Sequence, residues 1–464
     1  MFFLILLLFL SLSPSTILAN DRNIFGLHLT QTSDISSASK IINSTGGNWG
    51  YATLVIRTDQ LNHQAWQEFF NDCRKYHIIP IIRLATILDG QVWKVPSISD
   101  IDNLANFLSS LNWPGYPQYI ILFNEINHAS EWGGAVDIKS YTDLSLYTIN
   151  KFKSLSPNFF LLGAGLDLAS PEKAPDFKSA ASVYQEIYLY KPEYFQLVDG
   201  LASHSYPNHG YVGKPSDTGQ HSILGYRWEL NFLKSLGVNR TYPVFITETG
   251  WPHREGEQAD NHYYSATTTS NFLKSALQIW LKDPQIKAVT PFIYNYPNFP
   301  FDHFSWLDSQ ETLRPEYQLI VNLPKTSNSH PQITSYRLTA KHLPFFIFLD
   351  TEYSGQITLK NTGQSIWGET EFCLQPKSSP NITLEIVCTN NQITLPGQTQ
   401  KFNFKFKVNS PLKNSYISWE SMPNLEIAPV ISSGKIYSPK ISFFENLLGK
   451  LRQTFIQPSL HLTL

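Results

Sequence analysis

Between Ile24 and Leu323, short apolar segments alternate with longer amphipathic ones. The apolar segments are hydrophobic on both faces, which is typical of parallel strands covered by helices. Eight such segments occur, and their sequences are IFGLHL (from Ile24), ATLVIR (Ala52), IIPIIRLA (Ile78), YIILFNE (Tyr119), FFLLGAG (Phe159), GLASHSY (Gly200), VFITE (Val244) and AVTPFIYN (Ala288). Eight strand–helix repeats predict a (β/α)8 barrel, known as a TIM barrel, over residues 21–324.

The amphipathic segments between these strands are predicted to be helices. One of them, SISDIDNLANFLSSL, has a predicted N-cap at Ser99 with Asp102 three residues later. Another, from Tyr263, has helical apolar spacing in its second half. The alternative fold is an open doubly wound sheet, and the barrel is favoured because no Gly-rich phosphate loop follows the first strand.

After Leu323 the pattern changes to period-two alternation, as in KFNFKFKV from Lys401. The polar linker PKTSNSHPQ precedes this region, and turn sequences such as NTGQ and LPGQ separate its strands. We therefore predict a small all-β sandwich over residues 333–430, which resembles immunoglobulin-like modules. Residues 431–464 form a C-terminal tail whose segment from Ile441 could be an amphipathic helix, docked on the protein or in contact with a membrane surface.

The first 20 residues, MFFLILLLFLSLSPSTILAN, contain an apolar run that is too short to span a bilayer comfortably. Ala19 follows as a candidate cleavage point, so residues 1–20 are predicted to be a secretory signal peptide, although Lys and Arg are absent before the run. The alternative is an uncleaved membrane anchor. Either interpretation places the protein outside the cell or at its surface.

Composition narrows the possible partners. The net charge is −2 and no basic patch is visible, so no nucleic-acid partner is expected. Aromatic residues make up 14% of the chain; their rings stack on sugars but also fill hydrophobic cores. Cys73 is expected to be a buried thiol, and Cys373 and Cys388 could pair, a question that their spacing leaves open.

Polar side chains follow several predicted strands at the point where each strand ends. In a barrel these positions meet at one end, where the active sites of barrel enzymes lie. The strand-end residues are Arg57, Arg83, Asn124, Glu125, His204, Tyr206 and Glu248. Two carboxylates that end two apolar strands across the barrel from each other match the pair of acids that flanks a glycosidic bond during its cleavage.

The segments ILFNEIN and FITETGWP resemble the clan A glycoside hydrolases, which are retaining barrel enzymes of cellulase-like, β-xylosidase-like and β-1,3-glucanase-like type. The resemblance implies that Glu125 is the acid/base and Glu248 the nucleophile. It implies that Asn124 bonds the sugar 2-hydroxyl and that Arg57 lies beside the nucleophile. The HSY segment is similar to the clan's His-x-Tyr, so His204 would line the catalytic subsite and Tyr206 would contact Glu248.

Several aromatic residues are candidates for sugar-stacking platforms. Many clan members have a Trp at the end of strand 8, whereas this strand reads FIYNYPNFP. Tyr294, Tyr296 or Trp306 could replace it. Trp251 is either a platform or a core residue, and Trp132 is expected to line the cleft after strand 4. In the second domain, Trp367 and Trp419 are candidate platforms, although a spacer role is favoured for that domain.

The structural alternatives are that Glu125 and Glu248 cap helices or pair with Arg57 and Arg83, that His204 is a structural histidine, and that Arg83 forms an ion pair inside the barrel. The favoured function is a retaining glycoside hydrolase acting as a monomer on a β-linked oligo- or polysaccharide. A transglycosylase using the same residues and a non-catalytic glycan-binding or envelope protein are the alternatives. No His spacing indicates a metal site, and no cofactor is expected.

Overall fold

The computed structural model describes residues 22–344, 347–369, 372–377, 380–389 and 391–409, together with the backbone of short strands between 419 and 463. The chain divides into two compact units, of which the first ends at Pro331 and the second begins at Gln332. The predicted signal peptide lies outside the described residues. Among the helices that are described, none is both long and apolar enough to cross a membrane.

The first unit contains a closed barrel of eight parallel strands. Its strands are β1 Gly26–His28, β2 Gly50–Arg57, β3 Ile78–Ala85, β4 Gln118–Ile121, β5 Phe159–Leu162, β6 Leu201–His204, β7 Val244–Glu248 and β8 Ile286–Val289. Strands β1 to β5 pair in sequence order, as do β6 to β8. Parallel bridges from Leu162 to Gly200 and from Phe25 to Val289 join the two sheets at both seams. This closure establishes the barrel and excludes the open doubly wound sheet.

Helices follow the strands and cover the outside of the barrel. They are α1 Ile35–Ile42, α2 His63–Lys75, α3 Ile98–Ser110, α4 Ile138–Leu155, α5 Ala180–Tyr190, α6 Gly225–Ser235, α7 Ala266–Trp280 and α8 Gln318–Val321, with a further single-turn helix, Tyr194–Leu197, between α5 and β6. The cap of α3 is Ser97 rather than the predicted Ser99, because Ser97 and Asp100 form the reciprocal capping pair. Asp102 is instead bound by Tyr147 and Lys151.

The interior of the barrel is filled by alternate residues of the strands. A separate buried cluster contains Tyr51, Ile79, Ile81, Ile121, Leu162, Ala202, Phe245 and Ala288. Because side chains alternate between the two faces of a strand, the intervening residues pack outward against the helices. The next inward positions along β3 and β6 are Arg83 and His204. The apolar interior therefore stops below the polar residues at the carboxyl ends of the strands.

The second unit is all-β. Its strands are β9 Tyr336–Pro344, β10 Ile347–Phe348, β11 Glu352–Asn361, β12 Cys373–Pro376, β13 Ile382–Leu384, β14 Val387–Cys388, β15 Thr399–Val408, β16 Trp419–Ser421, β17 Leu425–Glu426, β18 Ile436–Tyr437 and β19 Ser459–Thr463. An antiparallel sheet in the order β13-β15-β11-β9-β19 and a second in the order β14-β12-β16-β17 are present. Phe402 of the first sheet and Leu374 of the second belong to one core. The immunoglobulin-like arrangement stays a prediction.

Three details of this unit bear on the sequence predictions. Cys373 and Cys388 are joined by a disulfide between β12 and β14, while Cys73 in the barrel is a buried free thiol. Trp367 is only 1% exposed and stacks on Phe372, so its ring is a core element rather than a sugar platform. The side chain of Trp419 lies outside the described residues.

The predicted tail contributes a strand to this unit. Residues 459–463 form β19, which pairs antiparallel with β9, so part of residues 431–464 belongs to the sheet. The segment predicted as an amphipathic helix, from Ile441 to Ile456, lies outside the described residues.

Candidate active site

The carboxyl ends of the barrel strands bring six of the predicted site residues into one cluster. These residues are Arg83, Asn124, Glu125, His204, Tyr206 and Glu248. They come from β3, from β7, and from the ends of β4 and β6. The cluster lies at the end of the barrel where enzymes of this fold assemble their active sites.

A β-bulge turns Glu248 toward the barrel interior. Ser203 pairs with Ile246, but the next residue, His204, pairs with Glu248, so Thr247 is an extra residue in β7. An extra residue shifts the alternation of side chains by one position. Glu248 therefore faces inward beside His204, although it follows the inward-facing Phe245 by three residues.

Glu248 is buried and surrounded by hydrogen-bond donors. Its side chain is 11% exposed, and Arg83 Nη1 lies 3.0 Å from Oε1. The Tyr206 hydroxyl donates to Oε2 at 3.2 Å, and His204 Nδ1 lies 3.9 Å from the same oxygen. Burial alone would raise the pKa of the Glu248 carboxyl, but the positive charges of His204 and Arg83 and the bond from Tyr206 outweigh burial and lower it. These neighbours favour an ionised carboxylate.

Glu125 is positioned by a bend after β4. Phe123 has φ +71, a left-handed conformation that is uncommon for a residue with a side chain. Its ring packs against Trp132, and the bend presents Asn124 and Glu125 at the end of the barrel. The backbone N–H of Glu125 donates to the Gly165 carbonyl at 3.0 Å. The Glu125 side chain is 20% exposed, almost twice the exposed fraction of Glu248.

His204 connects the two carboxylates. Its Nδ1 lies 2.8 Å from Glu125 Oε1, and the ring is 2% exposed. Burial would lower the pKa of His204, but Glu248 and Glu125 raise it by favouring the positively charged ring. Because Nδ1 faces two carboxylates, it bears the proton and donates to Glu125. A histidine that contacts both carboxylates fits a residue of the site better than a structural histidine of the core.

Arg57 differs from its predicted place beside Glu248. Its guanidinium pairs with Asp59, with Nε 2.9 Å from Oδ1. The register explains the difference: Val55 is the β2 residue level with Arg83, so Arg57 lies two residues further along the barrel axis. Arg83 is the arginine that contacts Glu248.

Four predicted aromatic platforms are core residues. Trp132, Trp251, Tyr294 and Trp306 are 2%, 3%, 4% and 1% exposed. The Trp251 indole donates to the Gly213 carbonyl, and Trp306 stacks on Tyr317 at 4.4 Å. None of these four rings offers a face to a sugar: Trp251 is the core residue that the sequence left as one alternative, whereas the expectations for Trp132, Tyr294 and Trp306 were wrong. Tyr296, the remaining strand 8 candidate, is partly buried and packs against Phe301.

Two side chains of the site were missed by sequence reasoning. His28, at the end of β1, has Nδ1 4.0 Å from Glu248 Oε1, and this nitrogen is buried without a hydrogen-bond partner. Burial lowers the pKa of His28 to about 4, so the ring is neutral at ordinary pH. Phe292, which follows β8, is half-buried and its ring meets His28 edge to face at 5.2 Å. Both residues could have been selected from the sequence, because they lie at the ends of β1 and β8.

A third carboxylate, Glu131, also belongs to this cluster. It ends a short 3-10 turn, Ala129–Glu131, in the loop after β4, where the charges of Arg83 and Glu125 act on its carboxyl. Burial raises the pKa of Glu131 to about 7. No sequence pattern selects Glu131, since an acid in a loop is ordinarily solvated.

The cluster contains potential metal ligands. Ligand atoms of Glu125, His204 and Glu248 lie within 4.8 Å of one another. However, Arg83 already places a positive charge against Glu248, and a divalent cation there would have to displace it. These side chains therefore fit a pair of carboxylates stabilised by positively charged side chains better than they fit a metal centre.

Comparisons with known proteins give fold-level resemblances only. No family model matches the chain, and no curated protein matches it. Among solved structures, an endo-β-1,3-glucanase from Pseudomonas viridiflava is 13% identical, with a TM-score of 0.42 over 66% of this chain and 99% of that one.

Two further solved structures are also glycosidases. An endoxylanase retrieved from a sugarcane soil metagenome is 12% identical, with a TM-score of 0.42 over 66% of this chain and 98% of that one. A glucosidase from Croceicoccus marinus is 6% identical, with a TM-score of 0.46 over 84% and 97% of the two chains. At TM-scores below 0.5 these resemblances decide nothing, and the barrel assignment rests on the strand pairings.

Proposed function

We propose that the protein is a retaining glycoside hydrolase that cleaves a β-linked oligo- or polysaccharide. The observation that supports this most directly is the proximity of two differently surrounded carboxylates at the catalytic end of the barrel. One oxygen of Glu125 and one of Glu248 lie within 4.8 Å of each other. Retaining glycosidases have carboxyl groups about 5–5.5 Å apart, whereas inverting ones leave room for a water at about 6.5–9.5 Å.

The proposed reaction assigns one role to each carboxylate. Glu248, kept ionised by Arg83, His204 and Tyr206, attacks the anomeric carbon while Glu125 gives a proton to the departing oxygen. The attack forms a covalent glycosyl–enzyme ester. Glu125 then takes a proton from a water molecule, which displaces Glu248 and restores both groups. Tyr206 and Arg83 hold the Glu248 oxygens in place, so that little reorganisation accompanies the attack.

The surroundings of the two carboxylates support the proposed substrate class. Phe292, Tyr211 and Tyr296 are partly exposed rings in a cluster around Tyr206 and Phe304. Such rings pack against the C–H faces of sugars, and the two tyrosine hydroxyls can bond sugar hydroxyls.

Secretion or surface location is part of the same proposal. The disulfide between Cys373 and Cys388 is of a kind that persists in oxidising compartments. Together with the N-terminal apolar run, it supports a protein that meets glycans outside the cytosol. We keep a spacer role for the second unit, because Trp367 is buried.

The test is sugar release from a panel of β-glucans, mannan, xylan, galactan and aryl β-glycosides. Wild type is compared with Glu248→Ala, and circular dichroism verifies that both are folded. Proton NMR of the first product shows whether the anomeric configuration is retained. Activity that survives Glu248→Ala, or a product of inverted configuration, would overturn the assignment. Products longer than the substrate would indicate transglycosylation on the same site.

A further inference from the structure

A buried acid that the proposed reaction does not use lies on α6, behind the strand that carries His204. Glu229 is 0% exposed, so its carboxyl group has no access to water. Burying a carboxylate costs free energy, whereas an apolar side chain of similar size fills a buried position without that cost. Packing alone therefore gives no reason for an acid at this place, and its hydrogen bonds show what it contacts.

Glu229 accepts a hydrogen bond at each of its two oxygens. The Tyr184 hydroxyl on α5 donates to Oε1 at 2.5 Å, and the Ser203 hydroxyl on β6 donates to Oε2. Both partners are buried, and Ser203 is the residue before His204. Glu229 thus connects two helices to the strand end that enters the active site.

The hydrogen bonds continue along the outer side of this strand end. The hydroxyls of Ser203 and Ser205 are 2.8 Å apart, and each has one proton to donate. Since Ser203 donates its proton to Glu229, the Ser205 hydroxyl donates to Ser203, and its oxygen accepts from the Tyr226 N–H at 2.9 Å. The acceptor at Glu229 therefore sets the direction of every bond in this chain.

The two serines flank His204, whose ring lies on the opposite, inner side of the strand. Its Nδ1 is 2.8 Å from Glu125 Oε1. A shift of the backbone at Ser203 would move the neighbouring imidazole by a similar distance, and a hydrogen bond of this length weakens when its atoms move apart. The bonds on the outside of the barrel thus fix where the ring meets Glu125 on the inside.

We propose that Glu229 is a positioning residue, which holds the end of β6 through Ser203 so that His204 keeps its bond to the acid/base Glu125. This inference deepens the proposed function and rests on it for its catalytic meaning. The chain of contacts runs from Glu229 through Ser203 and the backbone of His204 to Glu125.

The nucleophile is expected to depend less on this chain. Arg83, on β3, lies 3.0 Å from Glu248 Oε1. The Thr249 hydroxyl, one residue after Glu248, donates to the Ser205 carbonyl at 2.7 Å. Neither bond involves Glu229, so loss of this acid should disturb the proton donor more than the nucleophile.

The first experiment needs no substrate. Protein labelled with 15N-histidine is followed by NMR, and the His204 Nδ1–H signal is the one lost in His204→Gln. In Glu229→Leu this signal should move, and its proton should exchange with water on the order of 10-fold faster, because the bond to Glu125 opens more often. Glu229→Gln keeps an acceptor oxygen and should preserve the wild-type signal. A signal that is unchanged in Glu229→Leu, or equally changed in both variants, would overturn the proposal.

The second experiment compares two leaving groups on the same protein preparation. Glu229→Leu should lower kcat on the order of 100-fold for a substrate with a poor leaving group, since Glu125 is no longer aligned to protonate it. For an aryl glycoside with an acidic phenol, the loss should be about 10-fold or less. A general loss of folded protein would lower both rates by the same factor, so their ratio isolates the positioning role. Equal losses on the two substrates would overturn the proposal.

A matched control is available at the opposite end of the barrel. Asp283, which precedes β8, is also a buried acid that accepts a tyrosine hydroxyl, from Tyr226 at 2.7 Å. Asp283→Ala should therefore leave the ratio of the two rates and the His204 signal as in wild type. A change of the ratio as large as that in Glu229→Leu would contradict a specific role of Glu229.

Ser203→Ala breaks the same link while Glu229 keeps its bond to Tyr184. This variant should show the same dependence on the leaving group, and it tests the link even where Glu229→Leu does not fold. In the Ser203→Ala background, Glu229→Leu should add less than about a twofold loss, since both changes break one link. Equal losses on the two substrates in Ser203→Ala, or fully additive losses in the double variant, would overturn the proposal.

The experiments separate this inference from the proposed function. Wild type that cleaves nothing in the glycan panel, but whose His204 signal depends on Glu229, would contradict the hydrolase and support the link. Wild type that is active through Glu125 and Glu248, but indifferent to Glu229→Leu, would support the hydrolase and contradict the link.

Discussion

The surroundings of the two glutamates differ in a way that matches two different tasks. Glu248 lies at the end of a strand, receives bonds from Arg83 and Tyr206, and is 11% exposed. Glu125 follows a bend, contacts His204, and is 20% exposed. A nucleophile has to stay ionised, and fixed donors stabilise its charge. An acid/base has to exchange its proton with water in every cycle, which greater exposure allows.

The largest expected effect is a loss of rate that depends on the leaving group in Glu125→Ala but not in Glu248→Ala. Glu125→Ala should lower kcat on the order of 10²- to 10⁴-fold for substrates with a poor leaving group, because protonation of the departing oxygen is lost. For an aryl glycoside with an acidic phenol the loss should be much smaller. Glu248→Ala should be equally impaired on both substrates. Rates for the two substrates measure this contrast, and equal losses in Glu125→Ala would contradict the assignment.

Removing the cation at Glu248 should change the pH profile. In Arg83→Met, burial is opposed by one charge fewer, so the lowered pKa of Glu248 should rise. A smaller fraction would then be ionised in acid, and the acidic limb of kcat/KM should move to higher pH. We also expect kcat/KM at the optimum to fall on the order of 100-fold. An acidic limb that stays in place would show that Arg83 does not control this carboxylate.

His28 should have a moderate effect through packing. Its buried ring meets Phe292 edge to face at 5.2 Å and lies beside Glu248, so its removal would leave a cavity next to that carboxylate. His28→Ala should lower kcat/KM on the order of 10-fold, because Glu248 would be less well aligned. Steady-state kinetics on the best substrate of the panel measures this loss. Kinetics indistinguishable from wild type would mean that the His28 ring does not position Glu248.

Arg57 should have the smallest effect. Its pair with Asp59 is about one-third exposed on each side, and exposed ion pairs contribute only about 0–1 kcal/mol to stability. Arg57→Met is therefore the matched control for Arg83→Met, and its kcat/KM should stay within about twofold of wild type. If Arg57→Met moved the acidic limb as well, the distinction between the two arginines would be wrong.

Features that depend on strand order could be predicted from the sequence. The barrel follows from eight apolar segments, and Glu125 and Glu248 follow from their position at strand ends. His204 and Tyr206 were placed by the same logic together with the family resemblance. These predictions needed no knowledge of how side chains pack.

Features that depend on height along the barrel or on packing could not be predicted. Arg57 and Arg83 both follow apolar runs, and only the pairing of Val55 with Arg83 shows which one is level with the carboxylates. For Trp132 and Trp251, the sequence does not distinguish a core residue from a sugar platform, and only their burial does. Glu131 lies in a loop, where periodicity says nothing about the direction of a side chain.

The bulge at Thr247 decides which side chain of β7 faces His204. If β7 ran regularly through this point, Thr247 would lie level with His204 and Glu248 would face outward. The barrel would keep its strands, its apolar interior and every acid in its composition, yet its two carboxylates would no longer face each other. A local irregularity in one strand thus decides whether the two carboxylates meet.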